Sequence, residues 1–303
     1  MSRADGCAVY LVADHVRGGM CSEDRGVITK DRHWRAIPTP QHARMRSLFP
    51  TALAAFFLLA ASTAQATPPG YAWNFAAEAE TLEQRIPAPP GFTRVPVAPE
   101  SWAAWLRRLP MKPAGAPVLT FAGARKWRQD VHVAVVDIDV GNRDLQQCAD
   151  AIMRLRAEWL YASGRKGEIG FNDTEGKRLG FSTRRDQSYP SFRKYMDYVF
   201  AYAGTYSLER ELRHVDAAAL AIGDVFIKGG FPGHAVLIAD LAENAETGER
   251  RFLLVQSYMP AQEMHVLKNP AAADGSPWYP AAFDGDLITP EWKFAAGALR
   301  RWP

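Results

Sequence analysis

The 303-residue chain has three cysteines, Cys7, Cys21 and Cys148, and from Thr67 onward it keeps Cys148 alone. A single thiol rules out an internal disulfide framework and the paired cysteines of a structural zinc site. No His-x-x-x-His pair and no acidic cluster at ligand spacing occurs after Thr67, so a metal site is not expected. A glycine-rich loop between a strand and a helix is missing too, which argues against a nucleotide enzyme. No cofactor is required. Basic residues gather no further than pairs such as Arg184-Arg185 and Arg300-Arg301, and the net charge of +3 is owed partly to residues ahead of Thr67. A nucleic-acid partner is therefore not expected. The apolar run from Leu48 to Ala60, broken by Pro50 and Thr51, is too short for an ordinary transmembrane helix.

That run instead has the form of an export signal. Arg44 and Arg46 supply a basic start, and Ala64-Gln65-Ala66 supplies the small-x-small pattern that signal peptidase reads. The expected organisation is an upstream extension over 1–44, with translation starting at Met45, and a signal peptide over 45–66 cleaved after Ala66. A Pro/Ala-rich tether over 67–91 and one globular domain over 92–303 follow. The mature protein would be periplasmic or secreted, with no stable membrane anchor after cleavage. An exported protein normally pairs its cysteines, so the unpaired Cys148 is a small buried hydrophobe, a leftover or a nucleophile.

The pattern around Cys148 favours chemistry. Val131 to Val140 alternates like a strand, and Gly141-Asn142 breaks it. A helix is expected to begin near Asn142 or Asp144 and run to about Tyr161, with Cys148, Ile152, Leu155 and Trp159 on one face and Arg154 and Glu158 on another. Upstream, Ser101 caps a short helix that ends at Pro110; downstream, 164–188 reads as loop, 191–205 as an aromatic helix and 208–215 as a short helix. The chain then turns to a meander: Asp224 to Lys228, a Gly-rich loop over 229–233, His234 to Asp240, a turn at Thr247-Gly248, and Phe252 to Tyr258.

A thiol nucleophile needs its thiolate, which the positive end of a helix and a nearby imidazolium both favour. His132 lies inside a strand, His214 in a charged segment, and His265 after the meander. His234 opens a strand after a Gly-rich loop, where a side chain can project into a cleft. Folding the hairpin brings it opposite Gln256 to Tyr258, so Gln256 becomes the group that orients the ring, with Ser257, Tyr258 and His265 as competitors. The backbone N–H of Cys148 with Gln146 or Gln147 would stabilise an oxyanion, and Tyr258 joins the substrate-binding set. Asp224 reads as a turn residue. Trp278, Tyr279, Phe283 and Trp292 read as a C-terminal segment packed over the sheet.

Asp144-Leu145-Gln146-Gln147-Cys148-Ala149-Asp150-Ala151, Gly233-His234-Ala235-Val236, Gln256-Ser257-Tyr258-Met259-Pro260 and Ser276-Pro277-Trp278-Tyr279 resemble the bacterial family catalogued as domain of unknown function 4846, over roughly Ile86 to Trp302. At fold level, Gly223-Asp224 followed by Gly233-His234 is similar to the corresponding strands of NlpC-type and CHAP-type papain-like peptidases and amidases. Here Gln-Cys-Ala-Asp stands where the NlpC type has Asp-Cys-Ser-Gly. The resemblance implies an α+β, papain-like fold with the Cys148 helix packed on a mainly antiparallel sheet. It implies an exported cysteine hydrolase of amide bonds in peptides or peptidoglycan-derived material, with Cys148, His234 and Gln256 as its site. The competing class is a non-catalytic envelope binding or assembly protein on the same scaffold.

Overall fold

The strand-like stretches pair into one antiparallel sheet. In the computed structural model, residues 69–303 are described; the expected upstream extension, signal peptide and cleavage site lie outside them. From one edge the strands run His132–Val135, His265–Leu267, Arg250–Gln256, His234–Glu243, Val225–Lys228, Leu299–Arg301 and Arg213–His214. Each is antiparallel to its neighbour. Thr93–Arg94 and Tyr279–Pro280 add short rungs to the two long central strands. The architecture is α+β, with a large antiparallel sheet and few helices.

Side chains alternate across a strand, so the sheet divides the molecule into two cores. Ala235, Leu237 and Ala239 face one core, shared with Ala149, Ile152 and Leu155 of the helix Cys148–Ala162. Val236 and Ile238 face the other, built from Phe226, Phe252, Leu254 and Phe294. The helix Trp102–Arg107 starts at Ser101, whose hydroxyl accepts the Ala104 N–H at 3.1 Å, and Trp105 and Leu106 are wholly buried. Within the strand His234–Glu243 the buried Asp240 gathers two arginines, accepting from Arg94 at 2.6 Å and from Arg107 at 2.7 Å. A bulge between Ile238 and Asp240 accompanies this turn of the carboxylate, as bulges re-aim side chains.

Several sequence expectations change here. The strand read over 131–140 is shorter, because Val136 leaves the ladder to pair with Met111 and its N–H goes to Met264 O. The loop over 164–188 contains the hairpin Gly170–Asn172 with Arg178–Gly180. His214 lies in a strand, not a helix. Arg154 and Glu158 are buried, paired at 3.2 Å, with the Tyr189 hydroxyl of the next helix, Tyr189–Tyr202, donating to Glu158 at 2.9 Å. The cysteine helix is thus buried on most sides. The tether reading of 67–91 is also corrected, since Trp73 and Ile86 are buried and Leu82 fully so. Trp73 donates to Asp137 O at 2.8 Å, and Leu82 N–H to Leu109 O at 2.9 Å. A segment that buries a Trp and a Leu gains too much from packing to hang free. Among the described residues, no helix is long and apolar enough to cross a membrane.

Candidate functional site

Cys148 is the first residue of its helix, later than the sequence pattern suggests. The side chains expected to cap an earlier start are engaged elsewhere: Asp144 accepts the Ala261 N–H at 2.7 Å and the Gln147 side-chain amide at 3.0 Å. Gln147 is the N-cap, and its N–H is taken by the Asp150 carboxylate at 3.1 Å. The thiol therefore sits at the positive end of a fifteen-residue helix. It lines a half-open cavity of about 230 Å³ with Asp144, Gln147 and Asp150, faced by the loop Gly230 to Gly233 and by Thr205 and Met259.

On the next strand a hydrogen-bonded chain fixes one histidine. The His234 ring is 1% exposed, and its Nε2 lies 3.0 Å from Gln256 Oε1. The Gln256 amide nitrogen lies 2.8 Å from Glu291 Oε2 and 3.2 Å from His265 Nε2. Glu291 takes the Lys126 ammonium at 2.6 Å on its other oxygen, with both side chains buried. His265 Nδ1 donates to Glu263 O at 2.8 Å. A carboxylate only accepts, so Gln256 must offer its nitrogen to Glu291 and its oxygen to His234. His234 then carries its proton on Nε2, and Nδ1 is left as a lone pair without a partner among the described residues.

The electrostatics of the thiol and ring run against the sequence expectation of a pre-formed thiolate. Burial pushes the Cys148 thiol up to about 12, with Asp150 adding to the rise; the backbone N–H groups of Ala149, Ala235 and Cys148 itself pull the other way and do not win. Burial likewise brings His234 down to about 4. At neutral pH the pair is a thiol and a neutral imidazole, because desolvation outweighs the helix end. No hydrogen bond joins them. His234 points to the sheet face of Phe294 and Trp292, whose rings lie 5.8 and 5.3 Å away, while the cysteine helix packs on the opposite face. The link between them runs through the backbone at the strand start, where the N–H of Ala235, next to His234, meets the sulfur. Tyr258 is common to both: its ring is 4.8 Å from His234, and its hydroxyl is raised by burial, then by Glu291 and the Cys148 sulfur.

Residues 82–185 and 181–301 match the model of the family described as domain of unknown function (4846). The chain belongs to that family. No curated protein and no solved structure matches it.

Within this member of the 4846 family, the residues singled out from sequence fall in three places. His234 and Gln256 are bonded to each other, with Tyr258 against the ring. Cys148 and Gln147 line the cavity. Gln146 does not: its side-chain oxygen accepts from Arg154 at 2.8 Å, and it is buried. The reason is the fully buried Arg154 guanidinium, which gathers Gln146, Asp139 and Glu158 as acceptors. Gln146 is thereby removed as an oxyanion donor. Sequence reasoning missed Lys126, Glu291 and Asp150, and named His265 only as a competitor of Gln256, not as its hydrogen-bond partner. Lys126 and Glu291 carry no pattern, being 165 positions apart. Asp150 lay in plain view two residues after the cysteine; burial raises it well above the ordinary carboxylate range, and its Oδ1 has no partner among the described residues. No group of three His, Cys, Asp or Glu able to hold a metal occurs among the described residues.

Proposed function

We propose that this protein is an exported cysteine hydrolase of the cell envelope, cleaving an amide bond in a peptide or peptidoglycan-derived substrate on a papain-like scaffold. The observation that carries the reading is the bond that fixes the His234 ring: its Nε2–H is committed to Gln256, its Nδ1 lone pair has no partner among the described residues, and the N–H of the next residue, Ala235, reaches the Cys148 sulfur. A group that fixes the tautomer of a base next to a nucleophile is the logic of a triad.

In this mechanism the thiol is neutral at rest. As substrate displaces water from the cavity, Nδ1 takes the S–H proton while sulfur bonds to the carbonyl carbon, and the carbonyl π pair moves to oxygen. Backbone N–H groups at the helix start hold that oxyanion. Collapse expels the amine, which takes the proton from Nδ1, and leaves a thioester. Water, deprotonated by the same nitrogen, then releases the acid and restores the thiol.

The test is a peptidyl chloromethyl ketone followed by intact-mass measurement. One adduct on Cys148 is expected, absent in Cys148→Ser and slowed at least about tenfold in His234→Ala. Equal labelling in the native protein and His234→Ala overturns the reading. One observation favours the competing class, a non-catalytic envelope binding or assembly protein: the thiol and ring are both held neutral and share no hydrogen bond. That class predicts labelling only after denaturation.

A further inference from the structure

We propose that Glu291, held by Lys126, is a positioning residue that sets the proton on His234 through the Gln256 amide. This rests on the hydrolase reading for its purpose, but the tautomer it predicts stands without it.

The argument is one of donors and acceptors. A glutamine side chain can turn its oxygen and nitrogen end for end, so Gln256 alone does not decide which tautomer His234 adopts. With its oxygen toward His234 it selects Nε2–H; with its nitrogen there it selects a bare Nε2 and puts the proton on Nδ1. His265 turns the amide the same way, but more weakly. Its Nδ1 donates to Glu263 O, so its Nε2 accepts from Gln256, but an imidazole acceptor at 3.2 Å is the weaker neighbour. Glu291 Oε2 at 2.8 Å is the stronger, because a bond to an ionised acceptor is about twice as strong as a neutral one. Turning the amide over would set its oxygen against that carboxylate in a buried space.

Glu291 stays able to do this because Lys126 meets its other oxygen at 2.6 Å, with the lysine side chain 1% and the glutamate side chain 5% exposed. The pair comes from two separate loops that meet on the face of the sheet away from the cysteine helix. Glu291 rides on the tip of a small hairpin, Leu287–Ile288 with Lys293–Phe294, closed by Thr289 N–H to Trp292 O at 2.9 Å. The same hairpin lays Trp292 and Phe294 against the His234 ring. One element thus supplies both the electrostatic setting of the proton and the apolar wall that keeps the ring neutral.

The experiment is nitrogen-15 NMR of histidine-labelled protein at pH 7, reading the tautomer of each ring. In the native chain His234 is expected as Nε2–H and His265 as Nδ1–H. Glu291→Gln leaves Lys126 as a buried unpaired charge and can fail to fold, so the main variant is the double Lys126→Met/Glu291→Gln, which removes both charges together. In that variant His234 is expected to become a mixture of tautomers. His265 keeps Nδ1–H, because its partner Glu263 O is untouched; this marks an intact fold. Under the hydrolase reading, the rate of Cys148 modification by the peptidyl electrophile falls by the fraction of His234 lost to the wrong tautomer, with its pH profile otherwise unchanged. A His234 ring that stays wholly Nε2–H in the double variant overturns the proposal. A native Cys148 that the electrophile never modifies overturns the hydrolase reading instead, and leaves the tautomer result to be judged on the spectra alone.

Discussion

Cys148 shows how two forces on one atom are ranked. The helix end and three backbone N–H groups favour a thiolate, yet burial to 5% exposure raises the thiol to about 12. Iodoacetamide at pH 7 is therefore expected to modify Cys148 at least about tenfold more slowly than a free thiol of pKa about 8.5. The rate should keep rising past pH 9, as followed by intact mass against a small thiol standard. Fast modification at pH 6 would show a pre-formed thiolate and contradict the ranking. The two buried histidines give a second residue-scale expectation. His234 is lowered from 6.5 to about 4, and His265 from 6.5 to about 3, in both cases chiefly by burial. The unfolded chain takes up these protons below about pH 6.5 and the folded chain does not, so stability falls as pH falls from 6.5 toward 4 and then 3. Urea midpoints at pH 7, 5.5 and 4.5 should drop, and His265→Asn should flatten that slope. The slope is the readout because the variant also changes a buried hydrogen bond; an unchanged slope would sink the assignment.

At the scale of elements, the Gly-rich loop that delivers His234 is held by close approach. A methyl group on Gly233 would meet Thr205 Oγ1 at 2.2 Å and the backbone oxygens of Lys228 and Gly230 at 2.6 and 2.7 Å. A hydroxyl can rotate away; two backbone oxygens cannot. Gly233→Ala is expected to cost about 1–3 kcal/mol in urea unfolding, and adding Thr205→Ala should restore little of it, whereas full restoration would place the clash on the side chain alone. Elements of this kind were legible to different degrees. The meander around His234 could be read because its turns and alternation are local, and the turn between the two long strands brings the start of one near the end of the other, where the His234 ring meets the Gln256 side chain. The start of the cysteine helix was misplaced because Asp144, a good cap by type, is spent on the Ala261 N–H, a contact 117 positions away. Lys126 and Glu291 were illegible for the same reason: nothing local marks a residue whose partner arrives from a distant loop.

For the whole molecule, the question is what the first described residues contribute. Proline and alanine made 67–91 look like a tether, but composition does not register what Trp73, Leu82 and Ile86 touch. Trp73 packs on Trp105 at 5.7 Å between ring centres and donates to Asp137 O at 2.8 Å. Two residues on, Asp139 holds the buried Arg154 at 2.7 Å. Met111 N–H bonds to Glu80 O at 2.8 Å, and the Trp278 indole N–H to Pro87 O at 3.0 Å. The segment therefore braces both the loop ahead of Cys148 and the C-terminal covering of the sheet. Trp73→Ala is expected to cost about 3–5 kcal/mol, and a chain starting at Phe92 should unfold at distinctly lower urea than one starting at Thr67. Because Asp137 and Asp139 lie on the approach to the cysteine helix, the shorter chain should also expose its thiol, so that iodoacetamide modifies Cys148 faster at pH 7. Equal midpoints and equal rates for the two chains would return 67–91 to the role of a tether and leave the domain beginning at Phe92.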